Sequence, residues 1–291
     1  MAPPMIREFV SGIYGFPTST MDWCEENYVV TYAIGEFWNT ISNWVMIFPP
    51  MLVAYRLWKY KLAEDRIIAA LFALMLIGIG SFAFHCTLLY QSQLLDELPM
   101  IYGTCIMLYC ILELKGEENK LNLCTATILM IISIAITLVY VLLENPLIFL
   151  WSYGILAATL FLLNVKACMS FNGNKKLFIL SSASYAFGFI LWNIDNEYCY
   201  KVREVRSALP LLLQPTTQLH ALWHTFAGIG TYGQIIFNMD LRIKCLGFES
   251  RPSYVCKYIL YFEKARGFKR GYDINDVESQ NQKPLSTKEI Y

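Results

Sequence analysis

Long apolar segments recur along this chain and constrain its fold more than any other feature. A helix needs about 20 mostly apolar residues to cross the hydrocarbon core of a bilayer. Seven such segments are present, near residues 34–55, 66–88, 96–113, 121–143, 146–165, 177–194 and 211–238. Their interiors are almost free of charge, and helices in lipid satisfy their own backbone groups. The sequence therefore predicts an all-α, polytopic membrane bundle of seven transmembrane helices.

The positions of Lys and Arg predict how this bundle is oriented. Four of the 23 basic residues, Arg7, Lys201, Arg203 and Arg206, fall on the side of the N-terminus, and the other 19 fall on the opposite side. Because cytosolic loops are enriched in Lys and Arg, we expect a lumenal N-terminus and a cytosolic C-terminus. The first 20 residues lack the apolar core of a cleavable signal peptide.

This topology divides the chain into three parts. Residues 1–33 form a lumenal segment, residues 34–240 form the transmembrane domain, and residues 241–291 form a cytosolic tail that we expect to be disordered beyond about residue 272. The basic residues lie in short loops and in the tail rather than on a folded basic face, so the sequence does not suggest nucleic-acid binding. It also predicts no protein partner.

Cys24 and Cys199 are the only two of the nine cysteines that fall in predicted lumenal segments, where oxidation is permitted. A disulfide between them is one interpretation. Two unpaired thiols are the other, because the sequence gives no distance between the two residues.

The three histidines of the chain predict a metal site. His220 and His224 are four residues apart at the start of the last span, so both imidazoles project from one helical face. His85 lies near the end of the second span, on the same predicted lumenal side. Three histidines with a fourth position open are typical of catalytic zinc. The alternative is three histidines hydrogen-bonded within the bundle, but ionisable groups inside a membrane are costly and generally functional.

Two further polar residues are expected near these histidines. Ser81 precedes His85 by four residues, so its hydroxyl shares the histidine's face and could stabilise a polarised carbonyl oxygen. Asp96 lies where the third span begins and could accept a proton from water activated by the metal. The alternatives are a serine bonded to its own helix and an aspartate that caps the third helix. Glu97 is the competing base, pointing about 100° away on a helix.

A second group of polar residues precedes the first span. It comprises Asp22, Glu25, Glu26, Asn27 and Glu36. Oxygen donors without histidine or paired cysteine favour a hard cation such as calcium. The alternative is ordinary helix-start chemistry, with Thr20 or Asp22 as the N-cap and the acids facing the helix dipole.

Four stretches of the sequence closely resemble the alkaline ceramidases, seven-span hydrolases of the endoplasmic reticulum and Golgi. They are "STMDWCEENYVVTYAIGEFWNTISNW", "SFAFHCTLLYQSQLLDELPMIY", "FILWNIDNEYC" and "TTQLHALWHTFAGIGTY", and the resemblance runs from about residue 18 to residue 240. The tail after residue 240 and the first 15 residues show no evident match. The resemblance implies hydrolysis of the ceramide amide bond inside the membrane, giving a sphingoid base and a fatty acid.

The resemblance also implies a role for each matching residue. His85, His220 and His224 would bind zinc, and Ser81 and Asp96 would be catalytic. Cys24 and Cys199 would form a lumenal disulfide. The implied calcium ligands are Asp22, Trp23, Glu25, Asn27 and Glu36, with Trp23 acting through its backbone carbonyl because the indole nitrogen only donates.

Other functions remain open on the sequence alone. A lipid-sensing receptor of the progestin and adipoQ type has a similar zinc constellation, but we associate the Asp-Trp-x-Glu-x-Asn segment with ceramidases. A related hydrolase acting on lipid-anchor esters is an intermediate alternative. A scaffold or small-solute transporter with inert histidines is the third, although no inverted repeat supports a transporter.

Overall fold

The computed structural model describes residues 10–269, and this part of the chain is mostly helical. Nine α-helices run through it, followed by a two-stranded hairpin. The helices are α1 (Phe37–Ser42), α2 (Trp44–Tyr60), α3 (Asp65–Thr87), α4 (Tyr90–Leu112), α5 (Leu123–Leu143), α6 (Pro146–Ser170), α7 (Lys175–Glu197), α8 (Cys199–Ala208) and α9 (Leu219–Cys245). A 3-10 helix, Leu211–Thr217, precedes α9, and the strands are β1 (Phe248–Val255) and β2 (Ile259–Lys269).

Five helices of the described part, α3 to α7, are long and apolar enough to cross a membrane. The apolar surfaces of α5, α6 and α7 are mostly exposed, as expected of helices that face lipid. The protein is therefore an integral membrane protein. The first predicted span falls on α1 and α2, which are separated at Asn43, and the seventh falls on the 3-10 helix and α9. The count of seven spans and their orientation stay predictions.

Helix starts follow local sequence signals. Asn122, Asn145 and Asn174 cap α5, α6 and α7, each accepting hydrogen bonds from backbone N–H groups of the first turn. Pro146 occupies the first position of α6, where a missing N–H costs nothing. α4 begins at Tyr90, six residues before the predicted start of the third span.

The hairpin is a departure from the all-helical prediction. β1 and β2 pair antiparallel, and Tyr261 and Phe262 of β2 are buried in the main apolar core, which also contains Leu57 of α2 and Ile236 of α9. The hairpin lies within residues 241–291, which the sequence predicts as a cytosolic tail. The disorder predicted beyond residue 272 lies outside the described residues.

One disulfide ties the N-terminal segment to the far part of the chain. Cys24 and Cys199 are bonded, with their Cα atoms 5.3 Å apart. Asp195, at the end of α7, accepts a hydrogen bond from the backbone N–H of Cys24 at 3.2 Å. Arg206 of α8 donates to the Cys24 carbonyl at 3.0 Å. The N-terminal segment is thereby fixed against the end of the bundle at which α9 begins.

Candidate metal and catalytic site

The three histidines meet in the interior. One ligand nitrogen from each of His85, His220 and His224 lies within 4.8 Å of the others, and all three side chains are buried. α3 supplies His85 near its last turn, and α9 supplies the other two in its first two turns. His220 and His224 therefore lie on one face of α9, as their i, i+4 spacing predicts, and α3 and α9 bring the three histidines to one depth.

The hydrogen bonds of the histidines fix which nitrogens face one another. His85 Nδ1 lies 2.5 Å from Glu36 Oε2, and His224 Nδ1 lies 3.0 Å from the Asn39 carbonyl oxygen. Both partners accept, so each Nδ1 carries the proton and each Nε2 keeps a lone pair. Among the described residues, His85 Nε2 and His220 Nδ1 are buried without a hydrogen-bond partner.

This donor set fits zinc. Buried nitrogens are almost always hydrogen-bonded, so two unpartnered imidazole nitrogens beside a third histidine require an explanation. Three imidazole nitrogens are a familiar zinc environment in which a fourth position stays open, and outer hydrogen bonds orient the rings of His85 and His224 here. The interpretation of three histidines that merely hydrogen-bond within the bundle accounts for His224 but leaves His85 Nε2 and His220 Nδ1 unexplained.

Ser81 and Asp96 lie together beside the histidines. Ser81 Oγ is 3.5 Å from His224 Nε2, and the Asp96 side chain of α4 lies beside Ser81. Gly80 makes this approach of α3 to α4 possible, because a Cβ there would lie 1.8 Å from the carbonyl oxygen of Leu95. The alternative that Asp96 caps its helix is wrong, since α4 begins at Tyr90 and Asp96 lies about two turns inside it.

Glu97, the competing base, points into a different network. Its carboxyl group accepts hydrogen bonds from the Tyr140 hydroxyl and, at 3.1 Å, from Gln93 Nε2. Gln93 in turn accepts the backbone N–H of Thr20 at 2.8 Å. Glu97 therefore joins α4 to α5 and to the N-terminal segment, while Asp96 is the acid next to Ser81.

The structure gathers four of the five predicted calcium ligands. The backbone N–H of Trp23 points to both Asp22 Oδ1, at 3.1 Å, and Glu36 Oε1, at 3.4 Å. Asn27 Nδ2 lies 3.4 Å from the same Asp22 oxygen. Two carboxyl groups, those of Asp22 and Glu36, thus lie close to the Trp23 backbone and to the Asn27 amide group, and carboxyl oxygens are the ligands that a hard cation prefers. The N-cap part of the helix-start alternative is wrong, because residues 10–36 contain no helix and Thr20 and Asp22 therefore cap none. Its other part, an acid facing a helix start, holds for Glu25.

Glu25 differs from the other four predicted ligands. Its two carboxyl oxygens accept the backbone N–H groups of Trp38, at 2.7 Å, and Asn39, at 2.8 Å, at the start of α1. Burial, and then the charge of Glu36, raise the pKa of Glu25 to about 8. Its carboxyl group thus serves first as the cap of α1, where N–H groups lack helical partners.

The two clusters share Glu36. One of its oxygens faces His85 Nδ1 and the other faces Trp23, and the backbone N–H of Glu36 donates to the His85 carbonyl at 2.9 Å. Trp23 also stacks on His220, with ring centroids 3.9 Å apart. The acidic cluster therefore lies directly against the histidine site.

Sequence reasoning missed Asn39 and Ser42. Ser42 Oγ lies 2.9 Å from His224 Nδ1 and donates to the Asn39 carbonyl, also at 2.9 Å. The signal was present, because "NTISN" at residues 39–43 is a polar run within a predicted apolar span, and Asn39, Thr40 and Asn43 are fully buried. Buried polar runs in a membrane helix indicate an internal site.

Comparison with known proteins places the chain in a family. The Ceramidase family model matches residues 15–262. The chain belongs to the ceramidase family. The matched region extends past residue 240 and includes most of the hairpin. The expectation that the resemblance ends at residue 240 is therefore wrong.

Individual members of the ceramidase family are similar over nearly their whole length. Alkaline ceramidase 3 of Mus musculus is 40% identical over 256 residues, which cover 88% of this chain and 94% of the mouse protein. Alkaline ceramidase YPC1 of Saccharomyces cerevisiae is 34% identical over 273 residues, covering 87% of this chain and 86% of the yeast protein. Alkaline ceramidase of Arabidopsis thaliana is 26% identical over 258 residues.

Proposed function

We propose that this protein hydrolyses the amide bond of ceramides, releasing a sphingoid base and a free fatty acid. One observation carries the proposal in a chain of the ceramidase family: three histidine nitrogens converge beside the side chains of Ser81 and Asp96. Hydrolysis of an amide needs a nucleophilic oxygen, a group that moves a proton and a donor for the carbonyl oxygen. Each need has a candidate group within this cluster.

His85, His220 and His224 would hold zinc, which when bound supplies a Lewis acid and lowers the pKa of water to about 7. Asp96 accepts the proton of the attacking water and returns it to the nitrogen of the leaving amine. Ser81 donates a hydrogen bond to the substrate carbonyl oxygen as negative charge develops there. Water thus adds its oxygen to the acyl carbon as the carbon–nitrogen bond breaks. One of its protons reaches the amine nitrogen through Asp96, and the other stays on the carboxyl group of the released fatty acid.

The surroundings orient these groups. Glu36 and the Asn39 carbonyl hold His85 and His224 by their Nδ1 atoms, so the Nε2 atoms stay directed at one point. Within the proposal, a bundle of seven spans with a lumenal N-terminus and cytosolic C-terminus surrounds the site. The apolar chains of ceramide would then lie among the helices while the amide reaches the histidines. Residence in the endoplasmic reticulum or Golgi is part of the same proposal.

The direct test uses purified protein in detergent with defined ceramides and measures the sphingoid base released. We expect release from the native protein, its loss after a chelator removes zinc, and its recovery when zinc is returned. Tyr200→Ala is a matched control, because Tyr200 is exposed on α8 outside the histidine cluster. Activity that survives complete zinc removal would refute the metal-dependent mechanism.

We further propose that the acidic cluster binds calcium through Asp22, Trp23, Asn27 and Glu36, with Glu25 completing the site. A cation there would neutralise two buried carboxyl groups that otherwise repel each other, Glu25 and Glu36. Binding to the folded state alone stabilises it by about 2.7 kcal/mol at a hundredfold excess over Kd. Calcium added to stripped protein should raise the thermal midpoint, and Asp22→Asn should reduce that rise. An unchanged midpoint in the native protein would refute this site.

A further inference from the structure

Two adjoining cavities lie where α2 ends and α3 begins. The first is a groove of about 390 Å³ on the outer surface, and most of its lining comes from Ala54, Tyr55, Trp58, Ile68, Ala69 and Phe72. The second has a volume of about 770 Å³ and reaches inward, between α2, α3, α9 and the hairpin. Trp58, Asp65 and Ile68 line both cavities. A molecule that enters the outer groove therefore also meets the mouth of the inner cavity.

Helix geometry defines the depth of the groove. Asp65 is the first residue of α3, a candidate span, so it marks the level at which this span begins. Ala69 and Phe72 lie four and seven residues further along α3, about 6 and 11 Å into the span. α2 ends at Tyr60 and is joined to α3 by residues 61–64, so its last turns flank the same depth. The groove therefore lies beside the outermost part of a lipid chain, and Asp65 lies at the level of the headgroups.

The lining of the groove is aromatic and apolar. Tyr55, Trp58 and Phe72 are 56%, 66% and 50% exposed, so their rings face the surroundings of the bundle. Ala54 and Ala69 line the groove between the two helices, and their small side chains leave room for a hydrocarbon chain. Tyrosine and tryptophan are enriched at the level where a membrane meets water. The groove thus has the composition and the depth of a site for the upper part of an acyl chain.

The inner cavity is lined by charges of both signs. Four side chains are basic and four are acidic, and three pairs of them meet or face one another: Arg242 with Glu64, Lys264 with Glu118, and Arg251 with Glu263. The remaining two are Lys61 and Asp65, one at each end of the connection between α2 and α3. Both are exposed, and neither side chain has a hydrogen bond or an ion pair with another described residue. The mouth of the cavity therefore offers one cation and one anion to a ligand.

We propose that these cavities bind one zwitterionic phospholipid, with an acyl chain in the groove and the headgroup at the mouth of the inner cavity. Lys61 binds the phosphate and Asp65 binds the ammonium group of the headgroup. Charged pockets between helices at a membrane surface are common sites of headgroup recognition. An anionic headgroup would satisfy Lys61 but would be repelled by Asp65, so the charge pattern selects a zwitterionic lipid. The bound lipid holds the connection between α2 and α3 at the bilayer surface, a role separate from the proposed amide hydrolysis.

The test is native mass spectrometry of the full chain, released from detergent micelles that contain added dioleoyl phospholipids. Phosphatidylcholine and phosphatidylethanolamine present zwitterionic headgroups, and phosphatidylglycerol presents an anionic headgroup on the same chains. Lys61→Gln with Asp65→Asn removes both charges at the mouth, and Ala69→Leu narrows the groove. Lys176→Gln is the matched control, because Lys176 is an exposed lysine in the first turn of another candidate span, α7, and lines neither cavity.

We expect one saturable lipid per chain on the native protein and on Lys176→Gln. At least one of the two zwitterionic lipids should bind at least about tenfold more tightly than phosphatidylglycerol, as one charge-assisted hydrogen bond predicts. The double variant should lose this preference, and Ala69→Leu should weaken all three lipids several-fold. The thermal midpoint of each variant without added lipid checks that it is folded.

Three results would overturn the proposal. The first is phosphatidylglycerol that binds the native protein as tightly as both zwitterionic lipids, and the second is a native preference that survives in the double variant. The third is a series of lipid adducts that never saturates, which would indicate only the ordinary lipid layer around a membrane protein. A dimer that forms without lipid and excludes it would assign the groove to a second copy of the chain and would overturn the proposal as well.

Discussion

The two ends of the bundle both bury charged and polar side chains, but they satisfy them differently. At the hairpin end, Glu64 binds Arg242 through both oxygens, at 2.6 and 3.0 Å, and also binds Arg66 at 2.8 Å. Arg242 Nη1 donates to the carbonyls of Leu114 and Gly116. Each donor named in this cluster thus has an acceptor and each carboxylate oxygen has a donor, as a buried structural ion pair requires.

The hydrogen bonding of the histidine end is incomplete by comparison. His85 Nε2 and His220 Nδ1 are both buried there without hydrogen-bond partners. Asp96 and Ser81 lie beside the histidines. Structure-forming networks complete their hydrogen bonds, whereas sites that bind or react keep donors and acceptors available for a ligand. The difference separates an end that stabilises the fold from an end built for chemistry. The predictions below would break or sharpen that distinction.

The largest effect is expected at the metal ligands. His220→Ala removes one of three nitrogens, so zinc binding and ceramide hydrolysis should both fall, with activity reduced at least about a thousandfold because a Lewis acid contributes several kcal/mol. Metal analysis of the purified variant and the sphingoid-base assay measure the two quantities. Glu64→Gln, at the other end, is the control and should retain its zinc. Full zinc content with full activity in His220→Ala would abolish the distinction between the ends.

Asp96→Asn should separate catalysis from metal binding. The amide has the size and shape of the carboxyl group but cannot accept the proton of water, so activity should fall by about 10²–10⁴ while zinc content is unchanged. Glu97→Gln is the matched variant at the adjacent position, and we expect it to lower stability through the Tyr140 and Gln93 bonds rather than abolish turnover. If Glu97→Gln alone abolished turnover in folded protein, the base would have been assigned to the wrong residue.

The histidine end could be predicted because the chain has only three histidines and two of them have helical spacing. His220 and His224 lie on one helical face by spacing alone, and the alternation of basic residues placed His85 at the same end. The helices α3 to α7 follow from apolar length, which is the strongest signal a membrane chain carries. A disulfide between Cys24 and Cys199 was one of two interpretations, and the structure decides between them.

The features that the sequence could not predict depend on contacts between segments that are far apart along the chain. The hairpin needs Tyr261 to meet α2, and no local pattern reports that contact. The third span is predicted to start six residues after α4 actually begins, because "YQSQLL" is too polar to continue an apolar segment, although Gln93 is buried and bonded to Thr20. The double role of Glu36, between His85 and Trp23, similarly requires knowledge of how the N-terminal segment folds back.

Glu64→Gln should test the structural end by stability. Removing the charge leaves Arg242 buried with a weaker partner, and breaking a buried pair costs about 3–5 kcal/mol. We expect a lower thermal midpoint with turnover per folded molecule retained. Glu117→Gln is the matched control, because the Glu117–Lys120 pair is exposed at 75% and 67% and should matter little. Equal midpoints for the two variants would show that the Glu64 cluster does not support the fold.

The smallest effect is the pH dependence of that same ion pair. Burial opposes ionisation of Glu64, but the bonds from Arg242, the Asn119 N–H and Arg66 outweigh it and lower the pKa from the ordinary 4.5 to about 2. Because the pKa is depressed in the folded state, the contribution is present above pH 4.5 and is lost as pH falls toward 2.

The difference between those two pKa values corresponds to at most about 3 kcal/mol. The gap in thermal midpoint between the native protein and Glu64→Gln should therefore be constant from pH 7 to about 5 and narrow from there to pH 3. All other titrating groups are common to both proteins, so the gap isolates Glu64. A gap that stays constant down to pH 3 would mean that the charge of Glu64 does not stabilise this end, and that its role is carried by packing or by neutral hydrogen bonds instead.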